Sequence, residues 1–561
     1  MQTRGTPIIS EFVLIPAALA ATLAFAQSHA GAIPPVQKAK LTASDGAAVD
    51  QFGYSSAVSN LLGIAGASPD IAIVGIVNDD IGAAVSRGSA NIYKLNASGA
   101  WVFEAKLQAS DGLANDFFGA SVAIFGDTAM VGAPNDDGTF VDQGSAYIFK
   151  RSSAGVWTQS AKVIASTPAA NALLGFSVAL TSTSVATATS ADLAIAGAVQ
   201  DTINTLAAQG SAYVYKRATA GTWSQEAKLV VTGTDAQANE YFGQSVSMYG
   251  DRALVGTPGD DIGAVVDRGS GYVFKRSTAG VWTQEAKVVA SDGAAADYFG
   301  FSCCLFNNHL IMGAPNDDFS TVADRGSAYI FQLSGTSTWT QEAKIVASDG
   351  IASDFFGSSV ALQGNLALAT APNDDGPAQG GGTSFTNLGS AYLFVQSGTA
   401  TWTQEPRFTC ADGQAEKYFG DSVGIFGDSA IVGADGDDIS GMQDRGSAYI
   451  FLLTPADCNN NGIPDSDDIS SGISPDCNLN AIPDSCDLAA GGFDTDSDGR
   501  IDSCERDYGD FDLSGVIDGL DLAYILSGWG QTNPPIGDVD HNGLIDGADL
   551  TAVLSRWGNV P

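Results

Sequence analysis

The sequence predicts a mainly β chain: seven small antiparallel sheets set radially as a seven-bladed β-propeller, followed by a small tail of calcium loops with two short helices. Three observations predict it. A phrase of the form FG-x-S-V begins seven times, at Phe52, Phe118, Leu174, Phe242, Phe299, Phe356 and Phe419, 56 to 68 residues apart. Glycine is abundant, at 66 residues, while methionine and histidine are scarce, which suits turn-rich β structure. From Pro455 onward the composition shifts. There 20 Asp and one Glu stand against three Arg, nearly half of the net charge of −38 in the 561-residue chain.

Each copy holds four short runs rich in Val, Ile, Tyr, Phe and Trp, separated by Gly, Asp and Asn, and these read as four antiparallel strands. The FG run comes first, a V-G-A-P-N-D-D run second, and G-S-A-Y-x-F third, as at Gly144–Phe149 and Gly326–Phe331. A hairpin such as Lys275–Ala290 supplies the fourth. One such sheet cannot cover both of its faces, whereas seven packed side by side can. The last copy, Phe419–Leu453, lacks the fourth run, and an unattached version, Val36–Ala43, precedes the first copy. That segment is expected to complete the seventh blade and so remove two open edges. Cys303, Cys304 and Cys410 replace small apolar residues and are expected to be buried thiols.

The wording of residues 36–454 resembles the FG-GAP repeats of integrin α-subunit propellers and their bacterial relatives. Many of those carry a D-x-D-x-D-G calcium loop between the first two strands. Here that link is a tight turn, such as Tyr249–Ala253 or Phe125–Ala129, so the resemblance implies no calcium ligation there.

Strand order gives the blades two chemically different ends. One bears Lys150, Arg151, Lys216, Arg217, Lys275 and Arg276. The other bears the acid pairs Asp136 and Asp137, Asp260 and Asp261, Asp317 and Asp318, Asp374 and Asp375, and Asp437 and Asp438. Two readings stay open. In one, these residues set loop turns, with Arg87, Arg268, Arg325 and Arg445 as local partners. In the other, a ring of carboxylates is a ligand face that captures Ca²⁺ or a basic ligand. The long loop Asn373–Leu388 favours some role for this face, because recognition tends to live in variable loops on a rigid scaffold.

The tail acids are spaced as ligands. Asp494–Glu505 places Asp494, Asp496, Asp498, Asp502 and Glu505 at positions 1, 3, 5, 9 and 12 with Gly at 6, and Arg500 offers its carbonyl at 7. That is the EF-hand pattern, in which alternate oxygens of a tight loop surround Ca²⁺. Four more windows fit. They supply Asp457, Asn459, Asn461, Asp465 and Asp468; Asp476, Asn478, Asn480, Asp484 and Asp487; Asp510, Asp512, Ser514, Val516, Asp518 and Asp521; and Asp538, Asp540, Asn542, Leu544, Asp546 and Asp549.

The first three loops, within residues 455–506, resemble thrombospondin type 3 repeats. Their four cysteines, Cys458, Cys477, Cys486 and Cys504, are disulfide candidates with three possible pairings. The last two loops, within residues 507–561, each precede a short amphipathic segment, Leu520–Gly530 and Ala548–Gly558. This duplicated unit resembles a dockerin, which implies a cohesin-like partner. In the two segments Leu522, Ile525 and Leu526 recur as Leu550, Val553 and Leu554, which reads first as a core shared by the two halves.

Residues 1–26 read as an export signal: Arg4, an apolar stretch and a small-x-small site ending at Ala26. No other segment is long and apolar enough to span a bilayer, so the expectation is a secreted or cell-surface protein. Its strong negative charge repels nucleic acid and anionic membrane. The three histidines, His29, His309 and His541, support no nucleophile–base set, and equivalent acids in every blade argue for scaffold over one differentiated active site. The leading expectation is a secreted, Ca²⁺-binding recognition or adhesion protein without catalysis, whose propeller binds an extracellular protein or glycan. A polysaccharide-degrading propeller enzyme and a structural surface-layer protein are the alternatives.

Overall fold

Among the residues that the computed structural model describes, twenty-eight strands form, β1 to β28 in chain order. The described residues are 35–61, 70–183, 190–319, 322–375, 386–398, 400–453, 484, 488, 506, 508–514, 516–531, 539 and 544–558. The described chain falls into two units, one within residues 34–454 and one within 455–561.

The larger unit is a seven-bladed propeller. Every blade is a four-stranded antiparallel sheet. The second blade, of β6 (Ser121–Phe125), β7 (Thr128–Ala133), β8 (Ser145–Arg151) and β9 (Trp157–Val163), shows the plan. Strands β6 and β7, and β8 up to its final basic pair, are buried on both faces because neighbouring blades cover them, so their apolar runs do not alternate. Strand β9 is the outer edge. There Trp157 to Val163 mixes half-buried and exposed positions, with only Val163 buried.

The FG-x-S and G-A-P phrases have a steric and a polar cause. Phe118 packs edge-on against Tyr147, with ring centres 5.5 Å apart, and Phe299 meets Tyr329 in the same way at 5.4 Å. Gly119 sits at φ +99°, and its carbonyl accepts a 2.7 Å hydrogen bond from Ser55 Oγ of the preceding blade. A Cβ on Gly132 would fall 1.9 Å from the Gly175 carbonyl oxygen of the following blade. The serine-to-glycine bond recurs around the whole ring. Ser121 donates to Gly175, Ser177 to Gly243, Ser245 to Gly300 and Ser302 to Gly357, at 2.7 to 2.9 Å. In the sixth blade Thr370 stands where the others have glycine, and its hydroxyl makes the bond to Gly420 at 2.7 Å. Ser422 of the seventh blade donates to Gly53 of the first at 2.8 Å and closes the circle.

The N-terminal strand completes the seventh sheet. Strand β1 (Val36–Leu41) pairs antiparallel with β28 (Ser447–Leu452), and β27 (Ser429–Ala434) and β26 (Val423–Phe426) follow. The pairing runs from Val36 opposite Leu452 to Leu41 opposite Ala448. Cys303, Cys304 and Cys410 are buried thiols, and burial pushes the Cys304 thiol up to about 12.

The smaller unit is described mainly at its C-terminal end. Helices α1 (Gly519–Ser527) and α2 (Gly547–Ser555) pack together over Phe511, Ile517, Ile525, Ile545 and Val553. The two halves are related by a shift of 28 residues. Gly530 N–H donates to the Ile545 carbonyl and Gly558 N–H to the Ile517 carbonyl, both at 2.9 Å. Ile525 and Val553 form the shared core, while Leu526 and Leu554 face outward. Among the described residues no helix is long and apolar enough to cross a membrane.

Removal of residues 35–43 will leave β28 with an open edge. A chain beginning at Ser44 is expected to show a propeller transition about 10 °C lower in calorimetry, or to aggregate. A synthetic peptide of residues 35–43 added in trans is expected to recover part of the loss.

Candidate functional site

The ring of acids resolves into two kinds of group. The first aspartate of each pair lies at the base of its loop and is buried. Asp136 accepts from the Tyr147 hydroxyl at 3.3 Å and pairs with Lys162 Nζ, from the outer strand of its own blade, at 2.6 Å. The same ion pair forms in every blade. Lys106 meets Asp79, Lys228 meets Asp201, Lys287 meets Asp260, Lys344 meets Asp317 and Arg407 meets Asp374, at 2.6 to 2.8 Å. In the seventh blade the cation comes from the N-terminal strand: Lys40 Nζ lies 2.7 Å from Asp437 Oδ2. Each lysine of this set also reaches a link aspartate, as Lys162 does Asp111 at 2.8 Å, or stands over the blade's tyrosine, as Lys228 does Tyr213 at 5.0 Å.

The second aspartate of each pair caps its loop. Asp137, Asp261, Asp318, Asp375 and Asp438 accept the backbone N–H of Asp142, Asp267, Asp324, Asn387 and Asp444 at 2.8 to 3.0 Å. These contacts are those of the turn-setting reading. The arginines do not pair with the acids as that reading expected. Arg87 and Arg445 donate to the carbonyls of Ala109 and Ala43 at 2.6 Å and so tie each loop to the end of its outer strand. The opposite end of the blades is neutralised rather than openly basic. Arg151 forks onto Glu104 and Arg276 onto Glu226, each glutamate belonging to the preceding blade and also accepting a tryptophan N–H.

Sequence reasoning missed the apolar character of the acidic rim. Val85, Val141 and Val266 sit at the loop tips, and Leu113 and Ile351 on the links between blades, each more than half exposed. Phe140 and Met442 are exposed beside them. Their backbones are tied down, since the Val85, Val141 and Val266 carbonyls accept N–H groups of Asn115, Asn171 and Ala296 in the next blade at 2.8 to 3.0 Å. The signal was present as an apolar residue inside each polar loop, but spacing alone does not tell a buried anchor from an outward one.

Two further acidic sets are differentiated. Asp421 and Asp435 stand where other blades carry uncharged residues, and they hydrogen-bond to each other while Gln51 of the first blade donates to Asp435 at 3.1 Å. Burial pushes both carboxyls above the ordinary range, and the Asp435 charge adds to the effect on Asp421. Carboxyls in direct contact leave no room for a glycosidic bond, whose flanking acids stand about 5 Å or more apart. Asp50, Asp116, Asp297 and Asp354, just before their FG phrases, are pushed up to about 6, chiefly by burial.

The tail supplies a candidate metal centre. Carboxylate oxygens of Asp510, Asp512 and Asp521 lie within 4.8 Å of one another. Asp510 and Asp521 are fully buried, and the buried Oδ1 of Asp512 has no hydrogen-bond partner. Asp521 Oδ1 accepts from Phe511 N–H and its Oδ2 from Asp518 N–H, while Asp518 caps α1 by accepting from Leu520 N–H. Ser514 N–H donates to Asp510, and Ser514 Oγ to the Val516 carbonyl. The second half repeats this, with Asp549 accepting from Val539 and Asp546 N–H. Leu544, Asp546 and Asp549 are described. Asp538, Asp540 and Asn542 lie outside the described residues, as do Cys458, Cys477, Cys486, Cys504 and, apart from Asp484, the ligands proposed for the first three loops. Three crowded carboxylates with an orphan oxygen fit a hard cation with oxygen ligands.

The FG-GAP repeat model matches residues 35–93, 101–149, 223–274, 282–331, 339–394 and 402–451, more than half of the chain. The chain belongs to the FG-GAP repeat family. The matched FG-GAP units each run from an outer strand into the next blade's first three strands, and the unit at 157–215, with Leu174 in place of the phenylalanine, lies between them. No curated protein matches the chain.

Two outcomes are expected. The four aspartates near 6 bind protons more tightly folded than unfolded, where the ordinary value is about 3.9. Ionising them therefore costs stability, which will rise as pH falls from about 7 to about 5. Asp111 and Asp292, held low by Lys162 and Lys344 against the cost of burial, lose their contribution below about 4, so calorimetry should place the propeller's optimum near pH 5. Replacing the four aspartates by asparagine should reduce the rise between pH 7 and 5, leaving the part contributed by the other raised carboxyls, Asp421 and Asp435 among them. In the tail, Asp512→Asn together with Asp521→Asn is expected to weaken calcium uptake at one site about 100-fold or more in titration calorimetry, leaving the propeller transition in place.

Proposed function

We propose that this FG-GAP propeller is an extracellular recognition protein that binds a partner through its acidic, apolar-tipped rim and carries calcium in its tail. The observation that carries the reading is the set of outward valines at loop tips whose backbones are clamped by the next blade. A surface fixed before binding loses little entropy on association, and exposed apolar groups among carboxylates suit a protein partner with apolar and basic side chains. FG-GAP repeats typify extracellular and surface proteins, which agrees with an export signal over residues 1–26. Family membership supports recognition or adhesion rather than one particular chemistry.

The calcium reading rests on Asp510, Asp512 and Asp521. With the ion held there, the start of α1 is fixed, and with it the exposed Leu520, Tyr524, Leu526 and Trp529. Leu554 and Trp557 repeat the display on α2. This apolar surface is the part of the tail suited to docking or anchoring, with a cohesin-like domain as one partner of that kind.

The rim is tested by the triple substitution Val85→Glu, Val141→Glu and Val266→Glu. Binding to extracellular protein and glycan arrays is expected to fall at least tenfold while the melting curve stays within about 2 °C of the parent. Unchanged binding by the triple variant would remove the rim from the account.

A further inference from the structure

The fourth blade breaks the polar pattern at one place, and the break is buried. In the first, second, fifth and sixth blades the residue two before the FG phenylalanine is aspartate, which accepts a backbone N–H three residues upstream at 2.5 to 2.6 Å. In the fourth blade it is Glu240, fully buried, and neither of its carboxylate oxygens has a hydrogen-bond partner. Gln209 of the third blade stands where the first, fourth, fifth and seventh blades have arginine. Its Nε2 donates to the Val231 carbonyl at 2.9 Å, which leaves its buried Oε1 without a donor. Asp260 gives Oδ2 to Lys287, Ser270 and Tyr272, while its Oδ1 is buried and unpartnered.

The backbone brings these three residues together. Gly259 N–H donates to the Glu240 carbonyl at 3.1 Å and Phe242 N–H to the Gln209 carbonyl at 2.9 Å; burial and the Asp260 charge push the Glu240 carboxyl up to about 8, while the nearby Gln237 N–H and Gln209 amide act the other way. Four acceptor oxygens from two blades therefore share a buried region in which no donor reaches them in hydrogen-bonding geometry. Leaving such groups unmet forfeits the hydration they had in the unfolded chain and destabilises the fold.

The seventh blade shows what fills this place. There the residue equivalent to Glu240 is Lys417, also fully buried. Its ammonium lies 3.2 Å from Asp437 Oδ1, the counterpart of the orphan Asp260 oxygen, and 3.0 Å from Asp412 Oδ1. One repeat thus supplies a cation from its own chain where another presents only oxygens.

We propose that the junction of the third and fourth blades binds a hard metal cation through Gln209 Oε1, the Glu240 carboxylate and Asp260 Oδ1. An all-oxygen set with two carboxylates suits sodium or calcium, and the ion does in this blade what the Lys417 ammonium does in the seventh. The site is separate from the tail cluster and from the turns between first and second strands.

The test uses the full chain in calorimetry at constant ionic strength and pH 8. Sodium chloride and N-methylglucamine chloride are compared with chelator present, and a third arm contains calcium chloride. The propeller transition is expected to rise by about 2 °C or more in at least one metal arm relative to the organic cation; sodium and calcium are told apart by which arm moves it. Glu240→Lys, which copies the seventh blade, is expected to fold and to lose that dependence, and Glu240→Gln to reduce it. Equal transitions of the parent chain in all three arms would overturn the proposal, as would a Glu240→Lys chain that shifts as the parent does. Should Glu240→Lys fail to fold, diffraction decides. A cation within about 2.6 Å of Glu240 supports the site, and a protonated Glu240 bonded to Asp260 or Gln209 with no ion refutes it.

Discussion

The hydroxyl-to-carbonyl bond between neighbouring blades is the constraint on which the rest of the propeller depends. It demands a small residue at positive φ to present the carbonyl, a hydroxyl in the preceding blade to reach it, and no Cβ on the strand beside them. The FG-x-S and G-A-P phrases state those demands. Thr370 tests the logic from within: where the glycine is lost, its side chain takes over the bond that the neighbouring serine makes in every other blade. Ser422 to Gly53 is the same bond made across the full length of the ring.

The charged residues serve the ring in a second layer. A buried aspartate at each loop base has its own cation from the outer strand, and the loop is folded back over it by the second aspartate. A buried charge without its partner would cost several kcal/mol, so the pairing fixes which outer strand belongs to which sheet. Lys40 illustrates this, because its pairing with Asp437 assigns the N-terminal strand to the seventh blade as firmly as the β1–β28 ladder does. Once these groups are committed, outward side chains on clamped loops are what the rim offers to a partner.

Much of this was legible in the sequence. The seven repeats, the four strands in each and the displaced outer strand all follow from period and pattern, because a repeat that cannot cover its own faces must stack. What was not legible is where polar side chains point. Asp136 and Asp137 are neighbours in sequence, yet one is buried against Lys162 and the other caps a turn. Val141 lies among polar residues and faces solvent. Arg87 was expected near the acids and instead holds a carbonyl. Apart from the Asp137 cap, made within its own loop to Asp142, these outcomes depend on contacts between residues 20 or more apart in sequence or in adjacent blades, as with the Ala109 carbonyl and Arg87, and no local spacing encodes them. In the tail the alternating oxygens were legible, and the clustering of Asp510, Asp512 and Asp521 agrees with that spacing.

The N-terminal strand finishes the seventh sheet and closes the ring, and native-state hydrogen exchange reads that closure strand by strand. The amides of Ala39 and Leu41 in β1, and of Ala448 and Ile450 in β28, are expected to exchange only through global unfolding, at rates matching β8 and its neighbours. Exchange of β1 through local fraying, orders of magnitude faster than β8 under the same conditions, would contradict closure.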